Sequence, residues 1–158
     1  MHKLFGRTIP LLCSMIMVIA VQAQDAKEQQ IRTLIESKRF IFVAQQVLPL
    51  SEPVRVLTSD YDLKVKGDTL DSYLPYFGRA YSGVIGTTDQ GLTFTSTKYD
   101  YEIKPTKKGG WTVTLKPRDQ KVAQNMTLLV TQSGSASLQV NCRDRQSISF
   151  NGYIAELK

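Results

Sequence analysis

The dipeptide Gly67-Asp68 lies between two runs in which apolar and polar residues alternate. Glycine accepts the positive φ that a two-residue hairpin turn requires, so the pattern predicts a β-hairpin. This turn places Lys64 opposite Asp71 on one face, and the apolar residues of both runs on the other. The opposite-charge pair supports the register independently of the turn. A hairpin so well specified near the middle of the chain indicates an antiparallel sheet.

The alternating runs 99–103 and 111–115 predict two more strands. Their apolar residues share one face only if the loop between them has an odd number of residues. The simplest loop of that kind is Lys108-Gly109-Gly110, with Gly110 in the left-handed conformation.

Two later runs, 126–130 and 136–140, repeat this arrangement. The same parity argument predicts a three-residue loop over residues 132–134, with Gly134 in the special position. Consecutive hairpins of this kind favour an up-and-down strand order.

The chain before the hairpins predicts one helix and one buried strand. Ile31, Leu34 and Ile35 have helical spacing, and Asp25 can cap the first turn, so we expect a helix over residues 26–38. Residues 40–44 are apolar on both sides of a strand, as expected beneath a helix.

The segments between and after these elements are short, and each predicts only one local feature. Residues 45–53 contain two prolines and predict an irregular connection, and residues 54–57 predict a short strand. Residues 82–91 are typical of a flexible loop, and residues 92–97 of a strand.

At the C-terminus, residues 145–150 predict a strand, Asn151-Gly152 a turn or bulge, and residues 153–157 a last strand. The fold class expected is therefore mainly β: an antiparallel meander of eight to ten strands forming a barrel or a two-layer sandwich. The N-terminal helix packs on this sheet or closes one end of it.

The N-terminus is typical of a secretory signal peptide over residues 1–23. Lys3 and Arg7 precede an apolar run, and Val21-Gln22-Ala23 fits a cleavage site after Ala23. The apolar run is shorter than a membrane span, so we expect a periplasmic or secreted protein with no span in the mature chain. Residues 24–158 then form one β-rich domain.

Composition excludes several functions for such a domain. The only histidine, His2, lies in the signal segment, so histidine-based nucleophilic triads and histidine zinc sites are not expected. We predict no metal and no cofactor. The whole chain has a net charge of +6, of which Lys3 and Arg7 in the signal segment contribute two, so the domain keeps +4. This modest excess is spread along the chain, which favours a solvated surface over nucleic-acid binding. Cys142 continues an apolar face and is predicted to be a buried structural thiol.

The remaining catalytic candidate is a pair of carboxylates, Asp60 and Asp62, which flank Tyr61 on a strand. Two acids at that separation could flank a glycosidic bond. The alternative is that both are ordinary solvent-facing charges, which is what strand periodicity favours. No catalytic residue is therefore assigned, and an enzyme is the less favoured class.

The aromatic segment 73–81 is the main candidate for a binding site. The rings of Tyr73, Tyr76, Phe77 and Tyr81 offer stacking surface, and Arg79 can recognise a carboxylate or another acceptor. The competing interpretation is that the segment folds back over the sheet as a structural lid.

The same segment, together with residues 145–152, resembles the signature of exported bacterial proteins of the domain of unknown function 4251 family. The resemblance covers essentially the whole mature chain. It implies an exported bacterial origin, importance for these two segments, and proximity of residues 145–152 to the aromatic segment. It implies no activity.

The leading hypothesis from the sequence is a non-enzymatic binding domain with its site near the aromatic segment. The expected ligands are glycans, lipids or other components of the cell envelope. The alternatives are a carboxylate-based hydrolase using Asp60 and Asp62, and a structural component of an envelope assembly.

Overall fold

The computed structural model describes residues 25–77, 91–107 and 109–157, and its first element is a helix, α1, over residues 25–36. Ile31 and Ile35 are buried and Leu34 is half-buried, which confirms the predicted apolar stripe. The helix ends two residues earlier than predicted. Lys38, just beyond it, has a φ of 55°, which turns the chain into the first strand.

The described residues then form nine β-strands in a single antiparallel sheet with the order β4-β3-β2-β1-β9-β8-β7-β6-β5. In chain order, β1 to β9 are Arg39–Pro49, Arg55–Lys66, Thr69–Leu74, Leu92–Ser96, Tyr99–Pro105, Trp111–Pro117, Ala123–Val130, Ser135–Cys142 and Ile148–Ala155.

The strands give a nearly closed barrel, which confirms the predicted fold class. Neighbours in the sheet are consecutive in the chain except β1 and β9, which pair across the sequence. The two edge strands, β4 and β5, are joined by Thr97 and Lys98 alone. Three Cα–Cα steps span at most about 11 Å, so the two edges of the sheet must meet.

The gap between β4 and β5 follows from the odd number of strands. When nine strands alternate in direction around a barrel, the first and the last run the same way. Parallel pairing would need a crossover of about a dozen residues, and this connection has two. The edge strands therefore follow one another end to end instead of pairing side by side.

Side chains hold this corner together. The carboxylate of Asp119 accepts hydrogen bonds from Ser96 Oγ (2.5 Å) and from the backbone amides of Thr97 (2.8 Å) and Lys98 (3.1 Å). The bonds from Ser96 and Thr97 lower the pKa of Asp119 to about 2. No local pattern in the sequence marks this carboxylate, because its partners lie more than twenty positions away in the chain.

The core lies inside the barrel, with one inward residue at every second position. Trp111, Val113 and Leu115 are buried, as the alternation predicts. Other fully buried side chains come from β1, β2, β3, β4, β7, β8 and β9: Phe40, Phe42, Leu63, Leu70, Leu74, Leu92, Met126, Leu128, Leu138 and Phe150.

Helix α1 packs against the barrel end that carries the tight turns, here called the turn end. Glu28 accepts a hydrogen bond from Gln132 Nε2 (2.8 Å), and the Gly67 amide donates to the Lys38 carbonyl (2.8 Å). On β5, the Tyr101 hydroxyl donates to the Ile35 carbonyl (2.8 Å). These contacts confirm that the helix closes one end of the sheet.

The β2–β3 hairpin has the predicted register, with Lys64 opposite Asp71. Gly67 has a φ of 68°. The expected ion pair is wrong in detail, because Lys64 contacts Asp62 on its own strand (3.0 Å) and Lys66 contacts Asp71 (2.6 Å). Long lysine side chains reach diagonal and same-face neighbours as easily as the residue directly opposite.

The prediction of an irregular connection over residues 45–53 is wrong for its first half. Strand β1 continues to Pro49, and its register with both neighbouring strands shifts between Ala44 and Gln46. This bulge resets the alternation, so that Val47 faces inward again.

The predicted short strand 54–57 is part of a longer one, since β2 runs from Arg55 to Lys66 without interruption. Ala44 pairs with Tyr61 and Gln46 with Val56, so the four residues 57–60 lie opposite the single residue Gln45 in a bulge.

The odd loop between β5 and β6 is confirmed, but its predicted position is wrong by one residue. Pro105 pairs with Trp111, and the Thr106 amide bonds the Gly110 carbonyl (3.1 Å). The pairing of Pro105 with Trp111 centres the loop one residue before the predicted position. Both glycines of the loop take positive φ, 78° at Gly109 and 89° at Gly110. Between β7 and β8 the loop 132–134 is confirmed, with Gly134 at 89°.

Of the predicted turn or bulge at Asn151-Gly152, the turn is wrong and the bulge is confirmed in the pairing with β1, although the extra residue, Gln45, lies in β1. Strand β9 is continuous from Ile148 to Ala155, and it begins three residues later than predicted. Gly152 instead permits close strand approach, because a Cβ there would lie 1.9 Å from the Val43 carbonyl oxygen. The strand predicted at 92–97 is confirmed within one residue, whereas most of the predicted loop 82–91 lies outside the described residues.

Candidate functional site

The barrel end opposite the turn end, here called the loop end, is where the predicted aromatic site begins. Three connections meet there: residues 50–54 after β1, residues 75–77 after β3, and residues 143–147 before β9. Two of them touch through Ser51 Oγ and Gln146 Oε1, at 3.5 Å. Side chains, not backbone turns, make most of these contacts.

Tyr76 is the centre of the loop end. It is only 8% exposed, and its hydroxyl donates to the Gln146 carbonyl (3.0 Å). The Arg145 guanidinium lies over its ring at 4.7 Å from the centroid, a cation–π geometry. These contacts confirm the proximity of residues 145–152 to the aromatic segment that the family resemblance implied.

Phe77 carries a second guanidinium over its ring. Arg55, the first residue of β2, lies 4.9 Å from the ring centroid and also pairs with Glu52 (2.6 Å). Phe77 itself is half-buried. Two neighbouring rings, Tyr76 and Phe77, are thus each covered by an arginine from a different connection.

Tyr73 lies apart from these two rings, on the outer face of the sheet. It is 54% exposed, and its ring is 5.5 Å from that of Tyr61 in a tilted arrangement. The structure therefore brings together Tyr76 and Phe77, and leaves Tyr73 with Tyr61. Arg79 and Tyr81, the other two predicted site residues, lie outside the described residues.

The loop end also has an apolar rim of three side chains that are each more than half exposed. Leu50 and Val54 begin and end the 50–54 connection, and Val56 follows in β2. Isolated aliphatic residues of this kind carry no periodic signal, so no sequence pattern identifies the rim.

The predicted carboxylate pair lies on β2, and its two members differ in exposure. Asp60 is exposed, whereas the Asp62 side chain is only 15% exposed and is held by the Lys64 ammonium at 3.0 Å. A carboxylate paired with a lysine on its own strand is what an ordinary surface ion pair requires. Among the described residues, no group of three His, Cys, Asp or Glu side chains is placed to hold a metal ion.

Cys142 is half-buried at the end of β8. Burial raises the pKa of its thiol to about 11, with the charge of Arg145 acting weakly in the opposite direction. A thiol with that pKa is almost wholly protonated at neutral pH, which fits the predicted structural role better than a nucleophile. No helix in the described part of the chain is long and apolar enough to cross a bilayer.

Fold and site together define a class: a nearly closed nine-stranded antiparallel barrel, with a helix at one end and arginine-covered rings at the other. Residues 22–154 match the family model of the Domain of unknown function DUF4251, so the chain belongs to that family. No curated protein matches the chain.

A solved structure has the same fold. It is the crystal structure of a DUF4251 family protein from Bacteroides eggerthii DSM 20697, with 14% sequence identity and a TM-score of 0.61. The match covers 84% of this chain and 91% of that one. At this identity the likeness establishes the fold and no shared activity.

Proposed function

We propose that this chain is a non-enzymatic binding domain that works in the periplasm or outside the cell, with its ligand site at the loop end. The observation that carries the proposal is the pair of rings, Tyr76 and Phe77, each covered by a guanidinium and located at the same barrel end as the exposed apolar rim. Aromatic faces with arginine donors and a nearby apolar surface suit ligands that combine apolar and acceptor groups.

The ligand class expected is a glycan, lipid or other envelope component. In this proposal Tyr76 has a structural role and supports the site from inside, because it is buried and hydrogen-bonded. Phe77 and Tyr73 would supply contact surface. Arg79 and Tyr81 remain predicted members of the site on sequence grounds alone.

A test begins with a thermal-shift screen of the mature chain against envelope glycans and lipid fragments. Ligands that raise the melting temperature are then titrated against Tyr73→Ser and Phe77→Leu. The matched controls are Tyr153→Ser and Phe94→Leu. Tyr153 is 40% exposed and Phe94 half-buried, so each control removes a similar side chain away from the loop end.

Under the proposal, the loop-end variants lose the thermal shift and the controls keep it. An equal loss of the thermal shift in the loop-end variants and in the controls would overturn the proposal. So would a screen in which no ligand raises the melting temperature of the wild type.

A second candidate is a structural component of an envelope assembly, and the apolar rim is the observation that favours it. An exposed apolar surface is typical of a protein contact. Here Leu50→Ser and Val56→Ser would abolish co-purification with the partner from envelope extracts, while small-ligand titrations remain unchanged. The proposed export requires a mature chain starting at Gln24, which N-terminal sequencing of the native protein would test.

A further inference from the structure

The outer face of β5, β6 and β7 carries a depression of about 470 Å³ that the proposed loop-end site does not include. Its lining is polar and rich in cations: Lys116, Arg118 and Arg143, with the amides of Gln124 and Asn125 and the carboxylate of Asp100. These residues come from different segments of the chain and share no motif, so no spacing pattern in the sequence connects them.

The carboxylate in this lining, that of Asp100, is paired with an arginine of the same lining. Arg118 Nε donates to both oxygens of Asp100, at 3.0 and 3.1 Å, and Nη2 also donates to Oδ2. The Arg118 guanidinium lowers the pKa of Asp100, mainly through this hydrogen bonding. Asp100 therefore neutralises Arg118 and orients it.

In the described part of the chain, the other two cations of the lining have no such carboxylate partner. Neither Lys116 nor Arg143 has a carboxylate within ion-pair distance among the described residues. Both are exposed and line the same depression. The lining thus carries an excess positive charge of about two, focused on one concave surface.

The amide of Asn125 is oriented by a chain of hydrogen bonds. Ser147 Oγ donates to Asn141 Oδ1 (2.9 Å), and Asn141 Nδ2 donates to Asn125 Oδ1 (2.6 Å). Because Oδ1 of Asn125 is taken on the β8 side, its Nδ2 remains as the donor on the side of β6. The paired positions of β6 and β7 end with Leu115 opposite Met126, and Lys116 and Asn125 are the next residues of the two strands beyond that pair.

We propose that this depression binds a phosphate or sulfate group of a larger ligand. The groups without partners are all donors: the Lys116 ammonium, the Arg143 guanidinium and the Asn125 amide. A tetrahedral oxyanion offers several acceptor oxygens to such a set, and arginine and lysine are its usual partners. The site is separate in residues from the loop-end rings, so either one can fail without the other.

The test measures binding of three probes: dextran sulfate, vesicles containing phosphatidylglycerol, and inorganic pyrophosphate. Uncharged dextran and phosphatidylcholine vesicles are the blanks. The double variant Lys116→Ala/Arg143→Ala removes both unpaired cations. The control Lys27→Ala/Arg39→Ala removes one exposed lysine and one exposed arginine elsewhere, so both variants change the net charge equally.

The wild type is expected to bind at least one charged probe, and the site variant to bind it at least about tenfold more weakly, since one charge-assisted hydrogen bond is worth that much. The control should change less than about twofold. Which probe binds identifies the source of the oxyanion: polysaccharide, lipid headgroup or free phosphate. Equal weakening in both variants would indicate non-specific charge attraction and overturn the proposal, as would the absence of binding to all three.

A third variant, Asn125→Asp, tests the amide. It keeps the acceptor for Asn141 and the side-chain size, but replaces the donor by a negative charge beside Lys116. Oxyanion binding should fall at least about tenfold with the melting temperature unchanged. Undiminished binding would contradict the assigned role.

Discussion

At the turn end of the barrel, neighbouring strands are connected by backbone geometry, whereas at the loop end the connections meet through side chains. The turn end has Gly67, Gly110 and Gly134 at positive φ. Backbone hydrogen bonds from Thr106 to Gly110 and from Thr131 to Ser135 close two of its hairpins. The loop end has rings, guanidinium groups and the Tyr76 hydroxyl. The difference shows that register is set locally at one end, while the other end depends on contacts between distant segments.

This division has a functional meaning. A connection that sets strand register tolerates few changes, because one misplaced residue turns a whole strand inside out. Connections that only pack on one another can vary in length and sequence without moving the sheet. A ligand site on the loop end is therefore compatible with an unchanged barrel.

The largest effect is expected for Gly110→Ala at the turn end. A Cβ there would lie 2.2 Å from the Val130 carbonyl oxygen, at a φ of 89°. Steric overlap and the left-handed backbone together should lower the free energy of unfolding by about 3 kcal/mol. Urea denaturation measures it.

The matched control is Gly67→Ala, which has a φ of 68° but no atom within 4 Å of the added Cβ. Only the backbone cost, about 1 kcal/mol, applies there. Equal losses for the two variants would mean that the close approach at Gly110 does not fix the turn.

A smaller effect is expected for Tyr76→Phe at the loop end. The change removes the hydroxyl that bonds the Gln146 carbonyl and should lower the free energy of unfolding by about 1 kcal/mol. Tyr153→Phe is the control, since the structure shows no hydroxyl hydrogen bond for Tyr153 among the described residues. If both variants unfold like the wild type, the loop end is not held by this bond.

Asp119 at the β4–β5 corner gives a pH-dependent contribution. Its pKa is about 2 in the folded protein against an ordinary value of 3.8, so its stabilisation is present above pH 4 and lost as the pH falls towards 2. The wild type should be more stable than Asp119→Asn at neutral pH, and the two should converge between pH 4 and pH 2. Thermal melts across that range measure this, and a constant gap would contradict it.

A further prediction concerns the reactivity of Cys142 and not the stability of the fold. With a pKa of about 11 instead of 9.0, the Cys142 thiol carries roughly 100-fold less thiolate near pH 8 than an ordinary cysteine. Alkylation by iodoacetamide, followed on the peptide that contains Cys142, should be slower in the native protein than in urea by about that factor. Similar rates would mean that the thiol is not shielded.

Much of the barrel could be predicted from the sequence because strand alternation and turn glycines are local patterns. Alternation and glycine position predicted the hairpin at Gly67 and the loop 132–134, and parity alone required an odd loop before Trp111. Local patterns contain nothing about the bulge at Gln45, which exists because β1 must fit two neighbours at once. The same holds for Asp119, whose partners are more than twenty positions away in the chain.

The candidate site was predictable only as a segment. Aromatic density identified residues 73–81, of which the structure describes 73–77. The sequence could not show that Tyr73 faces outward while Tyr76 is buried, since the segment leaves its strand between them. The arginine cover came from Arg55 and Arg145, which no spacing rule connects to the rings.

The pairing of β1 with β9 has a consequence for how this molecule assembles. Hairpins can form one after another as the chain is delivered in order, but the inner edge of β1 has no partner until the final strand arrives. Until then two half-sheets coexist with open edges, a state prone to association with other chains. A product that ends before residue 148 is therefore expected to aggregate, however well its earlier hairpins form.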